Sequence, residues 1–600
     1  MPGIHQQIAT AFANGNSNSW LENQSSHSAL VHVLLKLWCV GRISAATLQQ
    51  IAYAAVVDGC NHEELGVFAS MGAWGSQPAN CTRDLKRELC KSQQLSAQSK
   101  VWTQMKNTKT NLAAPVQASV ILPHKLFADM YSNYNVNFLE VFGVSLVPEF
   151  WQKINMNDTR IAGHSGLPRD TEVLKLCIPG WVHGDAAEYH DRDSLMTWSW
   201  GSILALEKAS LMSSFLFAAW PKLATSSTTW EPLMQVFVWS LLALAEGKWP
   251  SRNFDGNPWP PGSADADKAG KPLADGWRFV VLALLGDQEH FSNNLGMPHW
   301  NKNRFCWLCD CCKHGPIKKQ ISYVLTDSEI VFRTIEEELA SPTSNHPLFS
   351  LGLTCFNIMI DILHAWDQGV WSHLAGSFLK DVIFDSYKHL PRHAALAEVW
   401  QKIQTYYAVL NTRVRLSNLT LAMIVGDALK PDSNWPKLKA KAAETRHLIP
   451  ILCQIAEDLN DGSFHAKHRY ETLKQATNLQ KIIELEGMFM SQTAQECLVS
   501  SSKAFLVHYS CLKVWANENN FVGYHVVPKF HMGLVHLPTQ ASFLNPRFFW
   551  TYKAEDWVGR NALIAHSASF GTKSFLLSHK LIEKNLMLLH LSFTRGFFDD

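Results

Sequence analysis

The chain carries two half-sites for a metal ion and keeps them far apart. Cys306 and Cys309 form a C-x-x-C pair in "RFCWLCDCCK", and His531 and His536 form an H-x4-H pair in "PKFHMGLVHL". A C-x2-C pair with an H-x3–5-H pair is a standard tetrahedral zinc set. No second C-x-x-C lies near the first, and more than two hundred residues separate the halves (309 to 531). One ion bound by both would be a strong constraint on the fold, tying two remote segments together. Cys311, Cys312 and His314 are rival ligands, and the two histidines otherwise read as core residues.

The intervals around these pairs add to the constraint. Asp287 precedes Cys306 by 19 positions (306 − 287), and Glu555 follows His536 by 19 (555 − 536). A shared ion would join the segment after the first acid to the segment before the second and help to position both. Asp185 completes a set of three. It closes a strand-like run, "LKLCIPGWVHGD". Asp287 ends "WRFVVLALLGD", whose unbroken apolar run suits a strand buried on both faces. Glu555 opens "EDWVGRNALIAH", a helical pattern. Acids at the carboxyl ends of strands in an α/β sheet stand where ligands are met. Carboxylates converging from separate elements can hold two divalent cations for phosphodiester chemistry, and hard oxygen donors select Mg²⁺ or Mn²⁺. Glu188, Asp191, Asp193, Glu289 and Asp556 compete for these roles.

The rest of the chain frames the acids. After Asp185, "LMTWSWGSIL" and "SSFLFAAW" read as two strands, and "TTWEPLMQVFVWSLLALAEG" reads as a helix capped by Thr228 or Thr229 and ended by Gly247. "LTCFNIMID" reads as a further strand ending at Asp361, and residues 372–520 read as helical throughout. Residues 1–165 are expected to be mainly helical, and 521–600 mixed. This order resembles an RNase H-like α/β fold in residues 166–371 and 521–600, interrupted by an all-helical insertion over 372–520.

Composition limits the function classes. With 600 residues, 47% hydrophobic and 18% charged, the chain reads as a soluble globular protein of more than one domain. The start "MPGIHQQIATAF" lacks a signal-peptide pattern, and the longest apolar run, Leu233 to Ala245, is too short to cross a bilayer. Thirteen cysteines in this context point to a reducing compartment with free or metal-bound thiols. Cys60, His62, Cys81 and Cys90 match no standard metal module. The formal net charge is only +1, so any nucleic-acid surface must be local. Basic clusters occur at Lys302 to Arg304, Lys313 to Lys319 and Lys437 to Lys441, each readable as a solvated face.

Five blocks, "HGDAAEYH", "LLGDQEHFSNNLGMPHWNKNRFCWLC", "DILH", "PKFHMGLVHL" and "WTYKAEDWVGR", together resemble the successive motifs of eukaryotic cut-and-paste DDE transposases. The nearest group is the CACTA-like set with its KDZ relatives, and the Cys/His arrangement is similar to that of Transib transposases and the V(D)J recombinase core. The resemblance covers roughly residues 170–570. It implies a catalytic triad of Asp185, Asp287 and Glu555 holding two Mg²⁺ or Mn²⁺ ions, and a structural zinc on Cys306, Cys309, His531 and His536. It implies that Asp361 and His364 form a D-x-x-H signature, with His364 near the scissile phosphate or serving as a structural histidine. Lys302, Arg304 and Arg560 could meet phosphates. Cleavage and strand transfer on double-stranded DNA, both element ends and target, would follow, in a nuclear homodimer or larger assembly and without a membrane. The alternatives are an RNase H-like nuclease without strand transfer, or an inactive, transposase-derived DNA-binding protein. The first block departs from the pattern, reading Gly-Asp-Ala-Ala where relatives often have Gly-Asp-Gly.

Overall fold

The computed structural model describes residues 27–596, apart from 97, 108, 206–208, 322–327, 570, 571 and 573. The stretch lacking a signal-peptide pattern lies outside the described residues. Within them the protein is mixed α/β, with many helices and little sheet. Six strands are formed: β1 (Ser99–Lys106), β2 (Ala113–Val120), β3 (Cys177–His190), β4 (Asp193–Ser202), β5 (Phe215–Pro221) and β6 (Arg278–Leu285). β1 and β2 make an antiparallel hairpin, and the others make one sheet in the order β5-β4-β3-β6. β3 pairs antiparallel with β4 and parallel with β6.

The strands follow from their sequences. Every residue of β5 is buried, as is all of β6 after Arg278. Apolar runs of this kind need cover on both faces. Helix α1 (Trp230–Glu246) packs along β6, α2 (Tyr552–Ser569) along β3, and α3 (Ser574–Arg595) against β5 and β2. α3 thus joins the N-terminal hairpin to the main sheet. The apolar run Leu233 to Ala245 is the buried body of α1, and no described helix is long and apolar enough to cross a membrane. α1 ends at Gly247 in the left-handed region (φ 67°). Its N-cap residue is Thr229, but that hydroxyl does not bond the helix. It donates to Gln104 O at 2.6 Å and accepts from Ser226 N–H at 2.8 Å, tying α1 to β1.

Several expectations need correction. β3 does not stop at Asp185 but runs on to His190, because Ala186 to Glu188 keep pairing with β4. The N-terminal region, expected to be mainly helical, also contains the β1–β2 hairpin. In β1 the exposed Lys100 and Trp102 alternate with the buried Val101 and Thr103, a period of two that builds a strand. The strand expected before Asp361 is a single parallel bridge, Leu284 to Ile358, beside a 3₁₀ turn over Cys355–Asn357. Asn357 explains the turn: its buried amide donates to Leu282 O at 3.0 Å and to Arg160 O at 3.1 Å. Described residues from 521 onward contain helices and no strand. Residues 363–518 are likewise helices and connections without a strand, the longest being Phe464–Leu485 and Gln492–Glu518, which pack along each other.

Candidate active site and metal centre

A bulge in the β3–β6 pairing precedes Asp185 and Asp287. The β3–β6 register pairs Gly180 with Val281 but Trp181 with Ala283, so Leu282 is the extra residue. Beyond it the last pair is His183 with Leu285. Counting two positions past that pair reaches Asp185 on β3 and Asp287 in the turn beyond β6, and both line one cavity. Without the extra residue, the same count would reach Gly286. The displaced Leu282 carbonyl is the one that Asn357 satisfies.

Each acid is also held locally. Asp287 caps the short helix Gln288–Asn294, its Oδ1 accepting the His290 N–H at 2.6 Å. Gly184 lets this helix approach, since a Cβ there would lie 2.1 Å from His290 Cε1. Asp185 Oδ1 accepts the Ala186 N–H at 2.7 Å. Glu555 lies in the first turn of α2, which packs on β3, and its carboxyl is close enough to Asp185 for their charges to interact. Burial first, and then the Asp185 charge, push the Glu555 carboxyl up to about 8. Burial also raises Asp287, with Asp185 and Glu289 adding to the effect. Acids that raise one another in this way favour the approach of a cation.

His364 completes the group. Its Nδ1 bonds Asp361 Oδ2 at 2.7 Å, and its Nε2 lies 3.7 Å from Glu555 Oε1. Burial opposes its charge, but the Asp361 bond and the Glu555 and Asp287 carboxylates push it up to about 9. Asp361 is almost wholly buried and accepts five hydrogen bonds: from the N–H groups of Leu363, His364 and Thr551, from the His364 ring and from the Thr551 hydroxyl. Thr551 O in turn accepts the Glu555 N–H at 2.7 Å. One buried carboxylate therefore orients His364 and anchors the helix start that carries Glu555. The D-x-x-H spacing hints at the first task; the second depends on a residue 190 positions away.

The four Cys and His residues also meet. Cys306 Sγ lies 3.2 Å from His536 Nε2, Cys309 Sγ 3.1 Å from His531 Nε2, and the two Nε2 atoms are 3.0 Å apart. All four are buried, and their donor atoms lie within 4.8 Å of one another. Bonds of about 2.0–2.3 Å to one tetrahedral ion place donors roughly 3.3–3.8 Å apart, so the cluster fits such an ion after small adjustments. A hydrogen bond from Cys306, followed by one from Cys311, holds the Cys309 thiol well below its ordinary range. Of the rival ligands, Cys311 serves as that neighbour, and Cys312 Sγ faces Lys319 O at 3.6 Å. His531 and His536 converge because residues 532–536 form a π-turn. In a helix bonded i to i+5, residues five apart stack on one face; in an α-helix they diverge.

A second π-turn spans Leu363–Val370, so His364 and the metal ligands sit on two adjoining irregular turns. Trp366 Nε1 donates to Gly533 O at 2.7 Å, and a Cβ on Gly533 would come within 2.9 Å of Trp366 Cδ1. The Cys/His cluster and the carboxylate site are thus locked together through one buried indole.

Other candidates separate from the site. Asp193 bonds the Tyr189 hydroxyl and Leu223 N–H, while Asp556 bonds Ser210 and Arg560. Lys302 and Arg304 are exposed. Cys60 and Cys90 are exposed, Cys81 is buried, and His62 caps the helix Glu63–Ala69; these four form no ligand cluster among the described residues. A second group, Asp381, Asp385 and His465, lies in the helical block. There Asp381 already meets the cation of Arg469 at 2.9 Å and the Tyr524 hydroxyl at 2.5 Å, which gives it a structural role. The residue that sequence reasoning missed is Lys529, which lines the cavity beside Asp287 and His364. Its only sequence signal was its place two positions before His531.

The chain matches no family model and no curated protein.

Proposed function

We propose that this chain is a DDE-type polynucleotidyl transferase that cuts double-stranded DNA at element ends and joins the freed ends to target DNA. The observation that carries the reading is the gathering of three acids: Asp185 and Asp287 line one cavity where β3 and β6 run parallel, and Glu555 lies on the helix packed against β3. The sheet order, antiparallel on one side of β3 and parallel on the other, supports an RNase H-like core. The helices between His364 and His531 support a large insertion between the second and third acids. When bound, two Mg²⁺ or Mn²⁺ ions would activate the attacking oxygen and stabilise the leaving one.

In this reading Asp185, Asp287 and Glu555 hold the cations. His364, aligned by Asp361, presents Nε2 toward the same space and can donate to a phosphate oxygen. Positioning and charge stabilisation carry the rate, and no covalent protein intermediate is needed. Zinc is the ion that suits two thiolates and two imidazoles, and its role is structural because all four positions are filled by the protein. Two DNA ends need two active sites, so the working form is a dimer or larger, and the substrate places it in the nucleus.

The test is a cleavage and joining assay on linear duplex DNA with Mg²⁺ or Mn²⁺. Asp287→Asn should cut at least about 10³-fold more slowly with an unchanged melting temperature. Cut but unjoined products would support a nuclease instead. A wild-type chain loaded with metal that cuts no DNA would leave only the non-enzymatic, DNA-binding reading.

A further inference from the structure

A cavity of about 670 Å³ opens from Asp287 and His364 toward the helical block. Its walls bring together four lysines from separate parts of the chain. Lys313 follows the cysteine pair, Lys437 and Lys513 belong to the helical block, and Lys529 precedes the first metal-binding histidine. None of the four has a carboxylate partner at ion-pair distance among the described residues. This concentration stands out in a chain whose net charge is +1. Gathering like charges in a partly enclosed cleft is costly unless a ligand neutralises them.

The shape of the cleft narrows the choice of polyanion. Its volume falls in the range of small-molecule pockets, about 300–1,000 Å³. It admits a nucleotide or two, but not a double helix, whose major groove alone is about 12 Å wide. Trp300 lines the cleft with its indole about half exposed, and Lys313 Nζ stands 5.8 Å from the ring centre. An exposed indole among cations is a platform for a base beside its phosphates.

We infer that this cleft binds an unpaired DNA strand leading away from the scissile phosphate, with Lys313, Lys437, Lys513 and Lys529 on its phosphates and Trp300 against a base. The inference rests on the polynucleotidyl transferase reading for its substrate and adds the path and the single-stranded state of one segment. DNA must therefore be melted locally where it enters the site, and a substrate already unpaired beside the cut should be favoured.

The test uses the full chain with Ca²⁺ in place of Mg²⁺. Fluorescence anisotropy compares a labelled oligodeoxythymidylate with a blunt duplex of equal length, both with inorganic polyphosphate as competitor. The single strand should bind at least tenfold more tightly. Lys437→Glu with Lys513→Glu should weaken it tenfold or more and flatten the salt dependence by one to two phosphates, at an unchanged melting temperature. The milder Lys437→Ala and Lys513→Ala pair serves if the charge reversal does not fold. Trp300→Ala should weaken the single strand about tenfold and leave the duplex unaffected. Equal affinity for strand and duplex, indifference to the lysine changes, or full displacement by polyphosphate with no effect of Trp300→Ala would overturn the proposal. A chain that cuts and joins DNA but ignores the lysine changes would sink this inference alone. One that binds the strand through these residues but cuts nothing would sink the transferase reading and leave the cleft standing.

Discussion

The Cys/His cluster and the carboxylate site lie side by side on the same stretches of chain, yet they are built in opposite ways. The cluster is buried and tight, with four donors within 4.8 Å of one another and every coordination position supplied by the protein. The carboxylate site is more open: Glu555 has a side chain 38% exposed, and its neighbours leave room for ions and substrate. A closed site stores folding energy, whereas an open one holds like charges apart for a ligand to use. The first should therefore govern stability and the second activity. The two are joined at Trp366 and Gly533, so a change at the cluster should be felt at the carboxylates.

The largest expected effect tests that division at the cluster. Cys309→Ala should abolish stoichiometric zinc, measured by metal analysis of the purified chain. It should lower unfolding stability by roughly 3–5 kcal/mol, read from urea denaturation. Near-stoichiometric zinc that survives both Cys306→Ala and Cys309→Ala would break the comparison, because the ion would then be held elsewhere.

Asp361→Asn comes next and sharpens the contrast, since this residue belongs to both regimes. An amide cannot accept all five donors that surround the buried carboxylate. Stability should fall by about 3 kcal/mol. Cleavage should fall by about 10²-fold, because His364 and the start of α2 are both released. A loss of stability with cleavage intact would show that neither group needs this anchor.

The smallest effect is a pH dependence. Asp367 is fully buried in the π-turn after His364, bonded by the Tyr552 hydroxyl at 2.7 Å, and burial pushes its carboxyl up from 3.8 to about 7. The folded state thus holds this proton more tightly than the unfolded chain does. The resulting stability is fully present below the unfolded value and is lost as pH rises through about 7. Unfolding free energies from urea titrations at pH 5 to 8 should fall by about 2–3 kcal/mol in the wild type and by less in Asp367→Asn. Equal slopes in the two proteins would place the titration on another group.

Legibility from sequence varied with the range of the interaction that decides each feature. The β6 run, α1 with its Gly247 end, and the helical character beyond residue 372 rest on local periodicity, which a linear reading captures. The expected strand before Asp361 failed because Asn357 spends its amide on Leu282 and Arg160, partners 75 and 197 positions away. The N-terminal hairpin was missed because its pattern is short and its partner surface, α3, lies at the other end of the chain.

The sequence by itself determined the chemistry: which acids end apolar runs, which thiols and imidazoles come in pairs, and the intervals between them. Tertiary structure alone decided whether those groups meet. A one-residue bulge at Leu282 shifts the β6 register ahead of Asp287, a π-turn puts His531 and His536 on one face, and a cleft collects lysines from three distant segments. Each of these depends on packing and hydrogen bonds between residues remote in the chain, and no local pattern of residue types records such energies.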